Sequence, residues 1–335
     1  MRLIRPSALL ALAVAMLPPL TGCAPQAFVI NLAPVDNRYQ EEVVIEAESS
    51  TRNKVALIDV SGLIVNADQP GLLQDGPNPV SAFAEQLAQA EEDDRVKAVL
   101  LRINSPGGSV TATEAMFTEA QRFKQQTGKP VVVQMMTTAA SGGFYLACVG
   151  DEVWAYPSTI TGSIGVVLQL VSIKPALDRW GVEATTVASG ANKAAGSPLT
   201  TLDDAQRAVF QSMVDEFYAG FVDVVAARRP GIDPSKLSGL TDGRILTGKQ
   251  AQDAGLIDAL GTLRESSARA IELANIDDAN VVRYRRPLQY VGSPYASSPV
   301  SEQGPSDVEI NLVQLRLSGS AFPSAGFYYV WAPGQ

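Results

Sequence analysis

An α/β fold built on a largely parallel sheet is what this sequence predicts, and three observations carry the prediction. Apolar, β-branched runs recur at residues 55–60, 97–103 and 130–135. Helical patterns lie between them, at 80–92 and 112–126. The second and third runs each lead into a glycine-rich turn. Near-continuous apolar runs suit strands covered on both faces, and their alternation with helices argues βαβ units.

Taken in order, the chain opens with a leader. Arg2 and Arg5 precede an apolar stretch at 8–17, too short to span a bilayer and laid out like an export signal. Leu20-Thr21-Gly22-Cys23 resembles a bacterial lipobox, in which the cysteine is lipidated and the chain is cut before it. An ordinary secretory signal with a chance cysteine is the alternative. The expected organisation is a lipoprotein signal peptide at 1–22, an N-terminal tether at 23–53, the folded domain at 54–286, and a Pro/Ser-rich linker with a C-terminal tail at 287–335. An amphipathic helix is expected over 203–229, with aspartates at its start and Arg228 and Arg229 at its end, as the helix dipole favours. Pro230 and Gly231 stop it. Near the end stands an apolar patch, Phe327-Tyr328-Tyr329-Val330-Trp331.

Composition narrows the chemistry. Of 335 residues, 46% are hydrophobic and 18% charged, a globular balance with ample material for a core. There is no histidine, which removes Ser-His-Asp and Cys-His mechanisms and every histidine metal site. Two cysteines, Cys23 and Cys148, are too few for a structural zinc site or a disulfide framework. A net charge of −9 without basic runs argues against nucleic-acid binding. No metal or cofactor is expected.

Three glycine-rich turns are the candidates for chemistry. Asn104-Ser105-Pro106-Gly107-Gly108-Ser109 follows a strand and precedes a helix, the layout of an oxyanion hole. It lacks the Gly-Lys-Ser/Thr of a P-loop, and a plain strand-to-helix turn would read the same. Ala140-Ser141-Gly142-Gly143 sets an exposed serine hydroxyl at the start of a helix, either as nucleophile or as a simple N-cap. Thr161-Gly162-Ser163-Ile164-Gly165 reads as a tight turn. A serine nucleophile without histidine needs another base, and a lysine serves if burial keeps it neutral. Lys193 stands out, because small uncharged residues surround it from Ser189 to Pro198, although a lone loop lysine is normally solvated.

Together these motifs resemble the signal peptide peptidase A (protease IV) family of Ser-Lys dyad peptidases. The matching pieces are Asn104 to Gly108, Ala140 to Tyr145, Gly162 to Val166, Lys193 with Ser197-Pro198, and Leu240 to Gly248. The resemblance implies a ClpP/crotonase-like fold with repeated ββα units. It makes Ser141 the nucleophile, Lys193 the general base, Ser163 the residue orienting that base, and Gly108 an oxyanion-hole donor. It also implies hydrophobic signal-peptide remnants as substrates and a ring-like homo-oligomer. The expected setting is the cell envelope, with a lipid anchor at Cys23 where the family commonly has a transmembrane helix. Two other readings share the fold, a crotonase-type acyl-CoA enzyme and a non-catalytic envelope scaffold.

Overall fold

The computed structural model describes residues 38–68, 78–286 and 326–331. The leader and Cys23 lie outside the described residues. Among the described residues no helix is long and apolar enough to cross a membrane.

The centre is a mixed, mostly parallel sheet. Its main path runs β1 (Gln40–Ile45), β11 (Asn280–Arg285), β2 (Lys54–Ser61), β3 (Val96–Ser105), β5 (Val131–Ala140), β6 (Glu152–Ala155), β10 (Ala259–Leu260). Every neighbouring pair on this path is parallel except β1 with β11. The far end of β5 pairs with β7 (Ile160–Gly162), which pairs in turn with β9 (Ile245–Thr247). A second sheet has three short antiparallel strands in the order β4 (Gly107–Ser109), β12 (Gly326–Val330), β8 (Val167–Gln169).

The apolar runs are continuous because both faces of the sheet are covered. Ala56, Ile58 and Val60 of β2, with Val99, Leu101 and Ile103 of β3, face α1 (Pro79–Glu92) and α2 (Val110–Thr127) through Phe83, Leu87, Met116 and Phe123. The alternate residues Val55, Leu57, Ala98 and Leu100 face the other way, onto Leu263 and Ala270 of α8 (Leu263–Leu273). Each of the Val, Ile, Leu, Met and Phe side chains among these contributes about 1.5–3 kcal/mol by leaving water. Capping fixes where the helices start and stop. Asn78 accepts the Val80 N–H at 3.0 Å at the start of α1, and Gly128, at φ 66°, ends α2. Between α2 and α8 along the chain lie α3 (Gly142–Ala147), α4 (Lys174–Arg179), α5 (Asp204–Arg228), α6 (Pro234–Leu240) and α7 (Gly248–Asp253). Asp203 and Gln206 form a capping box at the head of α5, where the charge pattern puts it.

Polar side chains also enter the sheet. Asp59 is buried between Arg102, whose Nη2 donates to Oδ2 at 2.8 Å, and Arg283 on the neighbouring strand. Burial holds the Arg283 guanidinium below its usual pKa.

Two flanking segments contribute more than the sequence expects of them. The stretch 23–53, read as a tether, supplies β1, which closes one edge of the sheet. That strand is only six residues long, three polar residues followed by Val43-Val44-Ile45, and carries no period that marks it as a strand. The tail at 287–335 supplies β12, whose partners lie more than a hundred residues upstream.

Candidate active site

The site grows from the ends of β3 and β5. At the end of β3 the chain turns through Pro106 into β4. Ser105 braces this turn: its hydroxyl donates to Gly62 O at 2.6 Å and accepts the Gly107 N–H at 3.0 Å. Ile64 clamps it from the other side, donating to Gly107 O and accepting from the Ser109 N–H, both at 2.9 Å. Glycine is required here. A Cβ on Gly108 would stand 1.8 Å from Ile64 O, and one on Gly107, at φ 106°, would stand 1.9 Å from Tyr329 O.

At the end of β5 the chain passes from Ala140 into α3 through Ser141, held at φ 52° and ψ −116°. L-residues rarely adopt this conformation, and such strain gathers at functional sites. The surroundings fix it. The Ser141 N–H donates to Gly162 O and its carbonyl accepts the Tyr145 N–H, both at 2.8 Å. Gly143 lets α3 approach β3, since a Cβ there would lie 2.6 Å from Ser105 O. The third turn completes the group. β7 runs beside the end of β5, pairing Ala140 with Gly162. Ser163 follows at φ 51°, its N–H donating to Arg244 O at 2.7 Å.

The fold therefore gathers the segments carrying Gly108, Ser141 and Ser163. The would-be Cβ of Gly107 is 2.7 Å from the Gly142 nitrogen, so the first turn lies directly against the residue after the serine. The Ser141 side chain, expected to be exposed, is 1% exposed. The Gly326–Val330 strand lies over Gly107 and Gly142 beside it. Lys193 is placed elsewhere. It sits exposed in a run of turns, its N–H donating to Gly190 O at 3.1 Å. Among the described residues its ammonium has no hydrogen-bond or ion-pair partner, so within one chain it is not joined to Ser141 or Ser163.

Several contributing residues escape a reading of the sequence alone. Ser105 braces the first turn, and nothing in its neighbourhood marks it apart from Ser109. Thr113 Oγ1 is buried without a hydrogen-bond partner and stands 2.7 Å from the would-be Cβ of Gly142. Tyr145, Phe217 and Phe221 form an aromatic wall whose spacing reads as ordinary core. Burial pushes the Tyr145 phenol up to about 12 and the Cys148 thiol up to about 11, which disfavours the Cys148 thiolate. Among the described residues no group of three or more Cys, Asp or Glu comes together to hold a metal.

The arrangement can perform acyl transfer: a strained serine at a strand-to-helix junction beside a glycine turn with N–H groups for an oxyanion. Comparison with known proteins agrees. The family model of peptidase family S49 matches residues 123–277, and that of Clp protease matches residues 78–161. An Enterococcus faecium protein described as "Putative signal peptide peptidase SppA" is 31% identical over 298 residues, covering 88% of this chain and 85% of its own. The chain belongs to peptidase family S49. Protease 4 of Haemophilus influenzae is 33% identical over 67% of this chain but only 35% of its own length. The chloroplastic serine protease SPPA of Arabidopsis thaliana is 29% identical over 82% of this chain and 42% of its own. As an S49 member, the chain is a serine-type peptidase on a Clp protease-like domain, the fold class expected from its motifs.

Proposed function

We propose that this S49 peptidase cleaves extended, hydrophobic peptides with Ser141 as nucleophile and Lys193 of a neighbouring copy as general base. Neutral Lys193 takes the Ser141 proton as Oγ attacks the peptide carbonyl carbon. The oxyanion is held by backbone N–H groups of Gly108 and Gly142. One such donor contributes about 3 kcal/mol. The ammonium then protonates the leaving amine, and water releases the acyl group from Ser141. Ser163, next to the nucleophile's strand, orients the incoming lysine.

The observation carrying this reading is the strained backbone of Ser141, fixed between the Gly107–Gly108 turn and Gly162. An N-cap serine needs no such conformation, and Ser141 makes no side-chain capping bond. Sharing the dyad between copies is favoured by the exposure of Lys193 on an arm that also carries exposed Val171, Trp180 and Val187. A second copy would bury these side chains and dehydrate the lysine. The lipobox-like Cys23 favours an envelope-bound protein, where remnants of cleaved signal peptides are the fitting substrates.

The test is turnover of a leader-peptide library by the mature protein, with product ends read by mass spectrometry. Ser141→Ala and Lys193→Ala should each lower turnover by about 10³-fold or more with the circular dichroism spectrum unchanged. Near-normal turnover in either variant refutes the assignment.

A further inference from the structure

Thr113 carries a hydroxyl that neither the fold nor the catalytic reading uses. It lies one turn into α2 and is fully buried. A threonine inside a helix ordinarily turns its hydroxyl back onto a carbonyl three or four residues earlier. Thr127 of the same helix does so, donating to Phe123 O at 2.8 Å. On α8 the buried hydroxyls of Ser266 and Ser267 donate to Leu263 O at 3.1 and 2.6 Å. Thr113 Oγ1 makes no such bond and has no other partner. Among the described residues it is the only serine or threonine hydroxyl buried in this state. An unpaired buried hydroxyl destabilises a fold, and valine would fill the same space without it.

The hydroxyl points at the nucleophile's turn instead. It stands 2.7 Å from the would-be Cβ of Gly142, the residue after Ser141. Gly107 Cα lies 3.1 Å from that same point, on the turn that continues into Gly108. Gly108 and Gly142 are the two sources of N–H groups for an oxyanion in the reading above, so Thr113 Oγ1 borders the place where they converge. The space there admits a carbonyl oxygen, since Tyr329 O also lies 3.1 Å from the would-be Cβ of Gly142. That neutral oxygen leaves the hydroxyl unbonded. A tetrahedral oxyanion carries a full charge, and hydrogen bonds to a charged acceptor are shorter and stronger.

We propose that Thr113 is a catalytic residue, its hydroxyl the third donor of the oxyanion hole beside the N–H groups of Gly108 and Gly142. This rests on the reading of Ser141 as nucleophile. As Ser141 Oγ bonds to the peptide carbonyl carbon, the π pair of the carbonyl moves onto its oxygen, and Thr113 Oγ1 donates a hydrogen bond to that oxygen. Threonine keeps its proton throughout, and the bond is released when the carbonyl re-forms and the amine leaves. A donor idle before attack and engaged only afterwards raises kcat rather than tightening substrate binding.

The experiment is steady-state turnover of one hydrophobic leader peptide by the full mature chain, with Thr113→Val, Thr113→Ser and Ser141→Ala beside the parent, and a thermal melt of each. Thr113→Val should lower kcat about tenfold or more and leave KM within about twofold. Its melting temperature should equal or exceed that of the parent, because it removes a hydroxyl that nothing pairs. Thr113→Ser keeps the donor and should hold kcat within about threefold of the parent. Unchanged kcat in Thr113→Val, a change confined to KM, or a Thr113→Ser variant as slow as Thr113→Val overturns the proposal. So does a lower melting temperature in Thr113→Val, which would mean that the hydroxyl is bonded in the resting fold. Ser141→Ala separates the two readings. If it is inactive while Thr113→Val turns over like the parent, the nucleophile stands and the third donor falls. If it stays active, the nucleophile falls and the third donor with it.

Discussion

At the scale of single residues, Ser141 shows a conflict between stability and chemistry. Its φ of 52° with ψ −116° is a conformation that glycine adopts freely and serine does not. Holding a residue there costs of order 1–3 kcal/mol. Under the proposed role of Ser141 as nucleophile, serine stays because a hydroxyl is needed at that point. Ser141→Gly should therefore abolish peptidase activity yet stabilise the domain by about 1 kcal/mol, raising the melting temperature by about 2–4 °C. Ser141→Ala should abolish activity without that gain, since alanine has the same Cβ. Differential scanning calorimetry of the two variants makes the comparison. Equal melting temperatures would mean that the backbone at Ser141 is unstrained.

At the scale of elements, the end of α1 and the starts of β2 and β3 are joined by charge. Asp93 caps α1 and receives Arg95 Nε at 3.0 Å and Lys54 Nζ at 2.8 Å. Lys54 also pairs with Glu41 on β1, and Lys129 donates to Asp93 O at 3.2 Å. The Arg95 guanidinium, followed by the Lys54 ammonium, holds the Asp93 carboxyl well below the usual carboxylate range, against the opposing effect of burial. A carboxyl whose pKa is lower in the folded state stabilises above its unfolded value of about 3.9, and that contribution fades as pH falls below it. Asp93→Asn should thus cost about 1 kcal/mol at pH 7, and the gap from the parent should narrow progressively as pH falls from about 5 toward the lowered folded pKa. Urea midpoints across that range read the effect. A gap that is constant with pH would mean the carboxylate charge plays no part.

The same scale explains what the sequence could reveal. β2, β3 and β5 were legible because burial on both faces leaves uninterrupted apolar runs, and α5 because its caps and charges agree. The strands of two or three residues, β4, β7, β8, β9 and β10, are too short to carry a period. β12 stood out as an aromatic patch, but its partners Gly107–Ser109 and Val167–Gln169 are so distant in sequence that no local signal could join them. The turns that carry Gly108, Ser141 and Ser163 were legible as turns because close backbone approach demands glycines in them. Ser105, Thr113 and the Tyr145, Phe217 and Phe221 wall were not, since hydroxyls and rings at those spacings are ordinary core residues.

At the scale of the whole molecule, the exposed arm directs attention to assembly. Trp180 is 76% exposed and Val187 94%, in the same stretch as Lys193, whose ammonium has no partner among the described residues. A compact domain gains nothing by presenting such side chains to water, whereas an interface between copies does. If Lys193 reaches the Ser141 of a neighbouring copy, two inactive variants should complement each other. A subunit with Ser141→Ala still offers its lysine, and a subunit with Lys193→Ala still offers its serine. In a cyclic assembly formed by co-expressing equal amounts, an active site arises wherever an intact serine meets an intact lysine, about one interface in four. Turnover should recover to about a quarter of the parent value in the mixture, while each variant alone stays inactive. Trp180→Glu should prevent recovery by breaking the assembly, seen as a smaller particle in sedimentation, with the core still folded. A dyad formed inside one chain predicts the opposite: every subunit in the mixture lacks one partner, and turnover stays at background whatever the ratio.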